Sequence, residues 1–342
     1  MSDVIKANPI KTALLAYGMS GKVFHSPFLN SNENFDLYGV LERTKNEAVL
    51  DYPKIISYHN IDSLLEDKDI ELVIINTPNN THYEFALKAL NAGKHILVEK
   101  PFCVSKTEAE TIFKLGIKNN LKVLAYQNRR FDSDFLAVKS VIESGKLGKI
   151  TEVHFRFDRF RNTISPKIFK ETPLSGSGIF YDLGAHLIDQ AIALFGKPQS
   201  FIKTYGYFRE NTQVDDYANA HLKYTDGKNI FITNNMLVLK PQAAYTIYGT
   251  DGTYTKNRAD EQENQLLAGM LPSDSNYGIE KAGNQGCLTY INTLSKVVIQ
   301  KIPSPKGNYM EVFNHVFLTI RCDKPYFVSA ENIISQLEIL ET

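Results

Sequence analysis

Five short apolar runs rich in β-branched residues recur through the first 126 residues: Lys11–Ala16, Asp36–Leu41, Leu72–Asn76, His95–Val98 and Lys122–Tyr126. Helix-like stretches lie between them, and Ser63-x-x-Glu66, Thr81-x-x-Glu84 and Ser105-x-x-Glu108 each match a capping box. Strands separated by helices cannot close hairpins. Each helix has to cross over the sheet, which makes neighbouring strands parallel and buries both sheet faces. This alternation predicts a parallel, doubly wound α/β sheet over residues 1–126. From about Ile150 the texture changes to alternating strands: Thr151–Phe160, Ser200–Tyr207, Tyr217–Tyr224, Asn229–Asn235 and Ala243–Tyr248. Asp226-Gly227 and Asp251-Gly252 are hairpin turn signals. Residues 127–342 therefore read as an α+β domain with a mostly antiparallel, open sheet. There is no internal repeat and no low-complexity linker between the halves. Asn257–Gln285, polar and rich in Gly and Asn, reads as a long loop.

The chain has 342 residues, enough for two cores. Lys+Arg and Asp+Glu both number 38, so the net charge is zero, which argues against a nucleic-acid or membrane-surface role built on phosphate contacts. No apolar segment approaches the roughly 20 residues of a membrane span. The polar N-terminus, Met1 to Lys11, lacks the apolar core of a signal peptide. Cys103, Cys287 and Cys322 are widely spaced and form no CxxC or Cys/His cluster, so neither a disulfide framework nor a metal site is expected. A reducing cytoplasm fits this cysteine usage.

The first strand runs into Ala16-Tyr17-Gly18-Met19-Ser20-Gly21, a dinucleotide fingerprint with Ala16 in place of its first glycine. In a Rossmann domain, Gly18 lets the backbone approach a pyrophosphate, and Gly21 lets the following helix pack closely. The second strand ends at Glu42, 21 residues past Gly21, where an acidic ribose ligand is expected. Arg43 follows, a guanidinium suited to a 2′-phosphate or to stacking on adenine. The two neighbours point to NAD and to NADP respectively, and both remain open at this level. Asn76-Thr77-Pro78 ends the fourth strand, and His82 opens the helix after it, so this turn lies at the same sheet edge. Glu99-Lys100-Pro101 stops the run His95–Val98 abruptly. The plainer reading is a strand ending in solvated charges; the functional one is a lysine held beside a ligand at the carboxyl edge of the sheet.

A second constellation runs from Gly176 to Asp189. Asp182 and His186 are four residues apart, so an α-helix stacks them on one face, with Asp189 continuing the stripe. They interrupt an otherwise apolar helix, Ile179 to Phe195. A surface i,i+4 pair is the plainer alternative. A carboxylate beside a buried imidazole has what proton transfer needs when a hydride leaves a carbinol carbon.

Together, the glycine turn, Lys100 in Glu-Lys-Pro and Asp182-x-x-x-His186 resemble the Gfo/Idh/MocA oxidoreductases over nearly the whole chain. Gln127-Asn128-Arg129-Arg130-Phe131-Asp132 and Glu143-Ser144-Gly145-Lys146-Leu147-Gly148 agree with the same family. The stretch Tyr17–His25, with Asn128-Arg129-Arg130 and Tyr181–Gly184, is most similar to the branch holding NADP-dependent scyllo-inositol dehydrogenases. This resemblance implies an NAD- or NADP-dependent dehydrogenase or reductase acting on a CH–OH group of a cyclic polyol or sugar. It implies Lys100, Asp182 and His186 as catalytic residues. His186 would exchange the hydroxyl proton, Asp182 would orient it, and Lys100 would steady the reacting oxygen. Gly18, Met19, Ser20, Gly21, Glu42, Arg43, Asn76, Thr77, Pro78, His82, Glu99, Lys100 and Asn128 would hold the dinucleotide. Lys100, Arg129, Arg130, Arg161, Tyr181, Asp182, His186 and Tyr309 would line the polyol pocket. It further implies a homodimer or homotetramer joined through the C-terminal sheet. A dinucleotide-binding sensor on the same fold is the alternative, and loss of Lys100 or His186 would have favoured it.

Overall fold

In the computed structural model, residues 8–165 and 171–341 are described; every candidate site residue lies among them, whereas residues 1–7 of the polar N-terminus do not. The chain divides into two compact units. The first comprises residues 1–127, 263–275 and 309–334, and the second 128–262, 276–308 and 335–342. A two-part chain is therefore present, but its second part is not one continuous stretch, because two later segments return to the first unit.

The first unit holds six strands: β1 (Ile10–Leu14), β2 (Phe35–Leu41), β3 (Ile56–Tyr58), β4 (Leu72–Ile75), β5 (His95–Val98) and β6 (Val123–Ala125). They are all parallel, in the order β3-β2-β1-β4-β5-β6. This is the doubly wound order of a Rossmann domain, whose direction reverses between β1 and β4. β4 is fully buried at each of its four positions, as a strand covered on both faces must be. β3 was not among the expected strands; three residues with Ile56 exposed leave too short a pattern to read.

Of the three capping boxes, only the one at Ser105 forms. It accepts from Glu108 N (3.2 Å) and opens α5 (Lys106–Lys118), while Glu108 reaches back to Val104 N (3.1 Å). Asn60, not Ser63, caps the helix Ile61–Glu66 (α3), accepting from Ser63 N at 2.8 Å. Thr81 does not cap α4 (His82–Asn91): a short helical turn precedes it, and its hydroxyl meets Pro78 O (2.6 Å) and Thr77 Oγ1 (2.7 Å) instead.

The helix Met310–Cys322 (α9) belongs to the first unit. Phe313 stacks on Phe28 at 5.3 Å and meets the edge of Phe35 at 6.0 Å, while Arg321 pairs with both oxygens of Glu71 at 2.7 Å. Aromatic burial plus a bidentate pair explains why this late segment joins the first core.

The second unit is built on eight strands: β7 (Ile150–Asp158), β8 (Ser200–Gly206), β9 (Tyr217–Lys223), β10 (Asn229–Asn235), β11 (Tyr245–Gly249), β12 (Gly252–Lys256), β13 (Gly286–Ile291) and β14 (Val297–Ile302). Their order is β14-β13-β12-β11-β7-β10-β9-β8, antiparallel except for the β7–β10 pair. One face, with Val153, Phe155, Ile230, Ile232, Tyr245 and Tyr254, is buried. The helix Ala185–Phe195 (α7) packs against β7 and β10. β12 to β14 extend the expected sheet. The β13–β14 hairpin closes through Asn292, whose side chain accepts from Leu294 N and Lys296 N at 3.0 Å. The expected loop Asn257–Gln285 is not structureless, because it carries a helix at Gln262–Leu267 (α8).

Candidate active site

In an open parallel sheet, ligands bind beyond the carboxyl ends of the strands where the strand order reverses. The turn after β1 and the turn after β4 meet there. Asn76 clamps the first of them: its Oδ1 accepts from Ala16 N (3.0 Å) and its Nδ2 donates to Ala16 O (2.8 Å). The two glycines divide the work. A Cβ on Gly21 would lie 2.3 Å from Ala16 O, so only glycine lets this turn pack on its strand. A Cβ on Gly18 would meet nothing within 4 Å, which leaves open space where a pyrophosphate approaches. Met19 beside it is about half exposed. The residues present therefore fit a dinucleotide, with a backbone cradle at Gly18–Ser20 facing open space.

Glu42 is placed differently from the ribose ligand that its position implies. Its side chain is buried and accepts from Glu47 N (3.1 Å) and Ala48 N (3.0 Å), capping the short helix Glu47–Asp51 (α2). Both carboxylate oxygens are thus engaged within the protein. Arg43 next to it is exposed and has no ion pair or hydrogen bond among the described residues.

The end of β5 is held from two sides. Glu99 accepts from Ser20 Oγ (2.7 Å) and from His25 Nε2 (2.8 Å), and its other oxygen receives Lys100 N (3.2 Å). Burial pushes the Glu99 carboxyl up, but the contacts of His25 and Ser20, with the Lys100 charge, outweigh it and hold the group below its usual range. His82, fully buried, lies between Pro101 O (3.0 Å) and Thr77 O (2.8 Å). Burial keeps its imidazole below the ordinary range, against the opposing effect of those carbonyls and of Glu99. His82 thus ties the Thr77-Pro78 turn to Pro101, and the Lys100–Pro101 peptide between these ties is cis. Thr77 is engaged by Thr81 and His82.

In the second unit, the expected helix at Ile179–Phe195 begins as a π-helical turn, Phe180–Gly184, and continues as α7. The spacing from Asp182 to His186 therefore crosses a change of helical pitch, not a regular α-turn. Such wider turns recur at functional sites. Gly184 permits it, since a Cβ there would crowd Phe180 (2.6 Å) and Asn234 Oδ1 (3.0 Å). His186 is buried, Asp182 half-buried, and Tyr181 buried beside it. Asp189 does not extend a catalytic stripe. It takes a bidentate pair from Arg130, at 2.9 Å from Nε and 2.7 Å from Nη2. Arg129 donates to Asp132 (3.2 Å), and its carbonyl accepts from Gln190 Nε2 (3.0 Å). Asn128 is buried in the same short helical turn. Both arginines thus pin that turn to α7 and its surroundings, while Arg161 is exposed. Tyr309, also expected at the pocket, has none of its surface exposed, and its ring lies 6.5 Å from Phe24 in the first unit.

Two residues that sequence reasoning passed over support these elements. His25 grips Glu99. Asp215 accepts from Phe180 N (2.9 Å) with its side chain and from Ile179 N (3.0 Å) with its carbonyl, fastening the start of the helix that carries Asp182 and His186. Gly178 makes room for it with φ of +90°, since a Cβ there would sit 1.7 Å from Asp215 Oδ1. Burial, reinforced by Asp216, pushes Asp215 up to about 6 against the lowering by these N–H groups. The only local signals were an acidic pair before β9 and a histidine inside an apolar run. Among the described residues, no cluster of three or more His, Cys, Asp or Glu suits a metal ion.

A glycine turn at the switch point of a Rossmann sheet, with an α+β unit bearing a buried Asp/His helix, defines an NAD- or NADP-dependent oxidoreductase. Comparison with known proteins agrees. Residues 10–127 match the oxidoreductase family NAD-binding Rossmann fold, and residues 135–255 match the GFO/IDH/MocA C-terminal domain. The chain belongs to the Gfo/Idh/MocA family of oxidoreductases. It is 36% identical to the uncharacterized oxidoreductase C115.03 of Schizosaccharomyces pombe, covering 97% of this chain and 96% of that protein. It is 32% identical to the scyllo-inositol 2-dehydrogenase (NADP(+)) IolW of Bacillus subtilis, covering 98% and 93%. The crystal structure of an oxidoreductase from Bacillus cereus superposes with a TM-score of 0.91 at 34% identity, over 97% of this chain and 94% of that one.

Proposed function

We propose that this protein oxidises a CH–OH group of a cyclic, inositol-like polyol, or reduces the matching ketone, with NADP as the preferred dinucleotide. The observation that carries the reading is the buried His186 on a helix start held by Asp215, in a chain whose Lys100 has its backbone N–H held by Glu99 at the carboxyl end of β5. The likeness to IolW, whose name specifies scyllo-inositol and NADP, supports the substrate class.

When bound, the nicotinamide supplies the hydride acceptor or donor. The remaining chemistry belongs to side chains. His186 takes the hydroxyl proton in oxidation and returns it in reduction, with Asp182 orienting the imidazole. The Lys100 ammonium steadies the negative charge that develops on the reacting oxygen. For the dinucleotide, Glu42 spends both oxygens on α2, so Arg43 is the group left to receive the adenosine ribose, and a guanidinium prefers a 2′-phosphate.

The exposed face of the second sheet supports a homodimer or homotetramer. Ile202, Ile291, Val297 and Ile299 are all more than half exposed, and β13 and β14 align Thr289 with Ile299 and Ile291 with Val297 on one side. All three cysteines are free thiols, in keeping with a reducing compartment.

The test is to follow the reduced-nicotinamide absorbance for wild type, Lys100→Ala and His186→Ala across inositols and sugars with either dinucleotide. We expect turnover of at least one cyclic polyol and a loss of at least about 100-fold in kcat in each variant. Dinucleotide binding without turnover of any panel member would favour the sensor. Unchanged turnover in both variants would remove the proposed mechanism.

A further inference from the structure

Glu99 takes no part in the proton transfer above, and at this sheet edge its carboxylate accepts three hydrogen bonds from the protein. It receives a hydroxyl from the fingerprint turn (Ser20), an imidazole N–H from the helical turn just beyond it (His25) and the backbone N–H of Lys100. A carboxylate only accepts, so His25 Nε2 must carry the hydrogen of its 2.8 Å contact. His25 has no exposed surface, and its ring packs at 4.6 Å from Tyr126 and 6.1 Å from Phe313. Its Nδ1 is buried with no hydrogen-bond partner among the described residues. A phenyl or leucyl side chain would fill that apolar slot without the cost of an orphaned nitrogen. The imidazole is therefore kept for what Nε2 does to Glu99.

We infer that Glu99 and His25 are positioning residues that lock the pyrophosphate-binding turn to the strand end carrying Lys100, so that the cofactor cradle and the Lys100 ammonium are set as one rigid unit. The inference rests on the proposed roles of the Gly18–Gly21 turn and of Lys100. Its physical basis is tight geometry. Ser20 sits inside the turn, Lys100 directly follows Glu99, and the shared oxygen Oε1 lets neither Ser20 nor His25 shift without disturbing the other. Misplacement of about 1 Å at a reacting group is enough to cost on the order of 100-fold in rate. A hydrogen bond serving only the core would behave differently: its loss would lower stability and leave ligand binding by the folded protein unchanged.

The experiment uses the full chain and two readouts that need no identified substrate. One is the NADPH dissociation constant from nicotinamide fluorescence; the other is the rate at which an amine-directed acylating reagent labels Lys100 in cofactor-free protein, read by peptide mass mapping. Glu99→Gln and His25→Leu are each expected to weaken NADPH binding about tenfold and to change the Lys100 labelling rate at least about threefold. His25→Gln keeps an N–H donor for Glu99 and is expected to stay within about threefold of wild type on both readouts. Should Glu99→Gln fail to fold, the comparison of His25→Leu with His25→Gln decides alone. Lower melting temperatures with both readouts unchanged would overturn the inference and leave the proposed function standing. Wild-type protein that binds neither NADPH nor NADH would overturn the reading of the turn and this inference with it.

Discussion

At the residue scale, the same two neighbours that left the dinucleotide choice open are separated by their hydrogen bonds. Glu42 was legible as an acidic residue at the right distance from Gly21, but its partners, Glu47 N and Ala48 N, depend on how the chain turns after β2. Arg43→Ala is expected to raise KM for NADP about tenfold or more and leave KM for NAD within about twofold, measured by initial rates. Equal effects on both would show that Arg43 does not read the 2′-phosphate. Lys100 was legible from Glu99-Lys100-Pro101 and His82 from the turn at the same sheet edge, whereas His25, which also frames that turn, carried no separate signal beyond a histidine in an apolar run.

At the element scale, the helix bearing Asp182 and His186 was readable from its apolar length, and its anchors were not. Asp189, expected to extend the functional stripe, is neutralised by Arg130, and both side chains are almost fully buried. Removing one member of such a pair strands the other charge. Asp189→Asn is expected to destabilise the protein by about 3 kcal/mol in denaturant titration. Asp215 gives a pH signature of known sign. Its folded pKa of about 6 lies above its ordinary value, so the folded state holds the extra proton between the two. Its carboxylate therefore disfavours folding above about pH 6, and that penalty fades as pH falls toward 4. Asp215→Asn keeps an acceptor for Phe180 N and removes the charge. Its melting temperature relative to wild type is expected to rise as pH is raised from 5 to 8. His82 and Glu99 act oppositely, since their pKa values are lowered and acidification therefore destabilises the fold through both.

At the scale of the whole molecule, two compact units were expected, but not the return of residues 263–275 and 309–334 to the first. The aromatic contacts of Phe313 and the Arg321–Glu71 pair bring α9 there, and they carry Tyr309 into that core. Among the described residues, no helix is long and apolar enough to cross a membrane. The exposed apolar positions on β14 belong to this scale as well. Val297→Lys combined with Ile299→Lys is expected to convert the proposed oligomer to monomers by light scattering, with the melting transition of the remaining fold still cooperative. A wild-type monomer at working concentration would remove the proposed assembly.

The parallel sheet, the fingerprint turn, Glu-Lys-Pro and the Asp/His helix could all be read from the sequence. Each is written in residues a few positions apart, through hydrophobic period, glycine spacing and strand stops. What only the tertiary structure decided is who holds whom. Glu99 meets Ser20 across 79 residues of chain, Arg130 meets Asp189 across 59 and Arg321 meets Glu71 across 250. Such contacts leave no local period in the sequence, because the geometry that satisfies a buried charge exists only once the chain has closed around it.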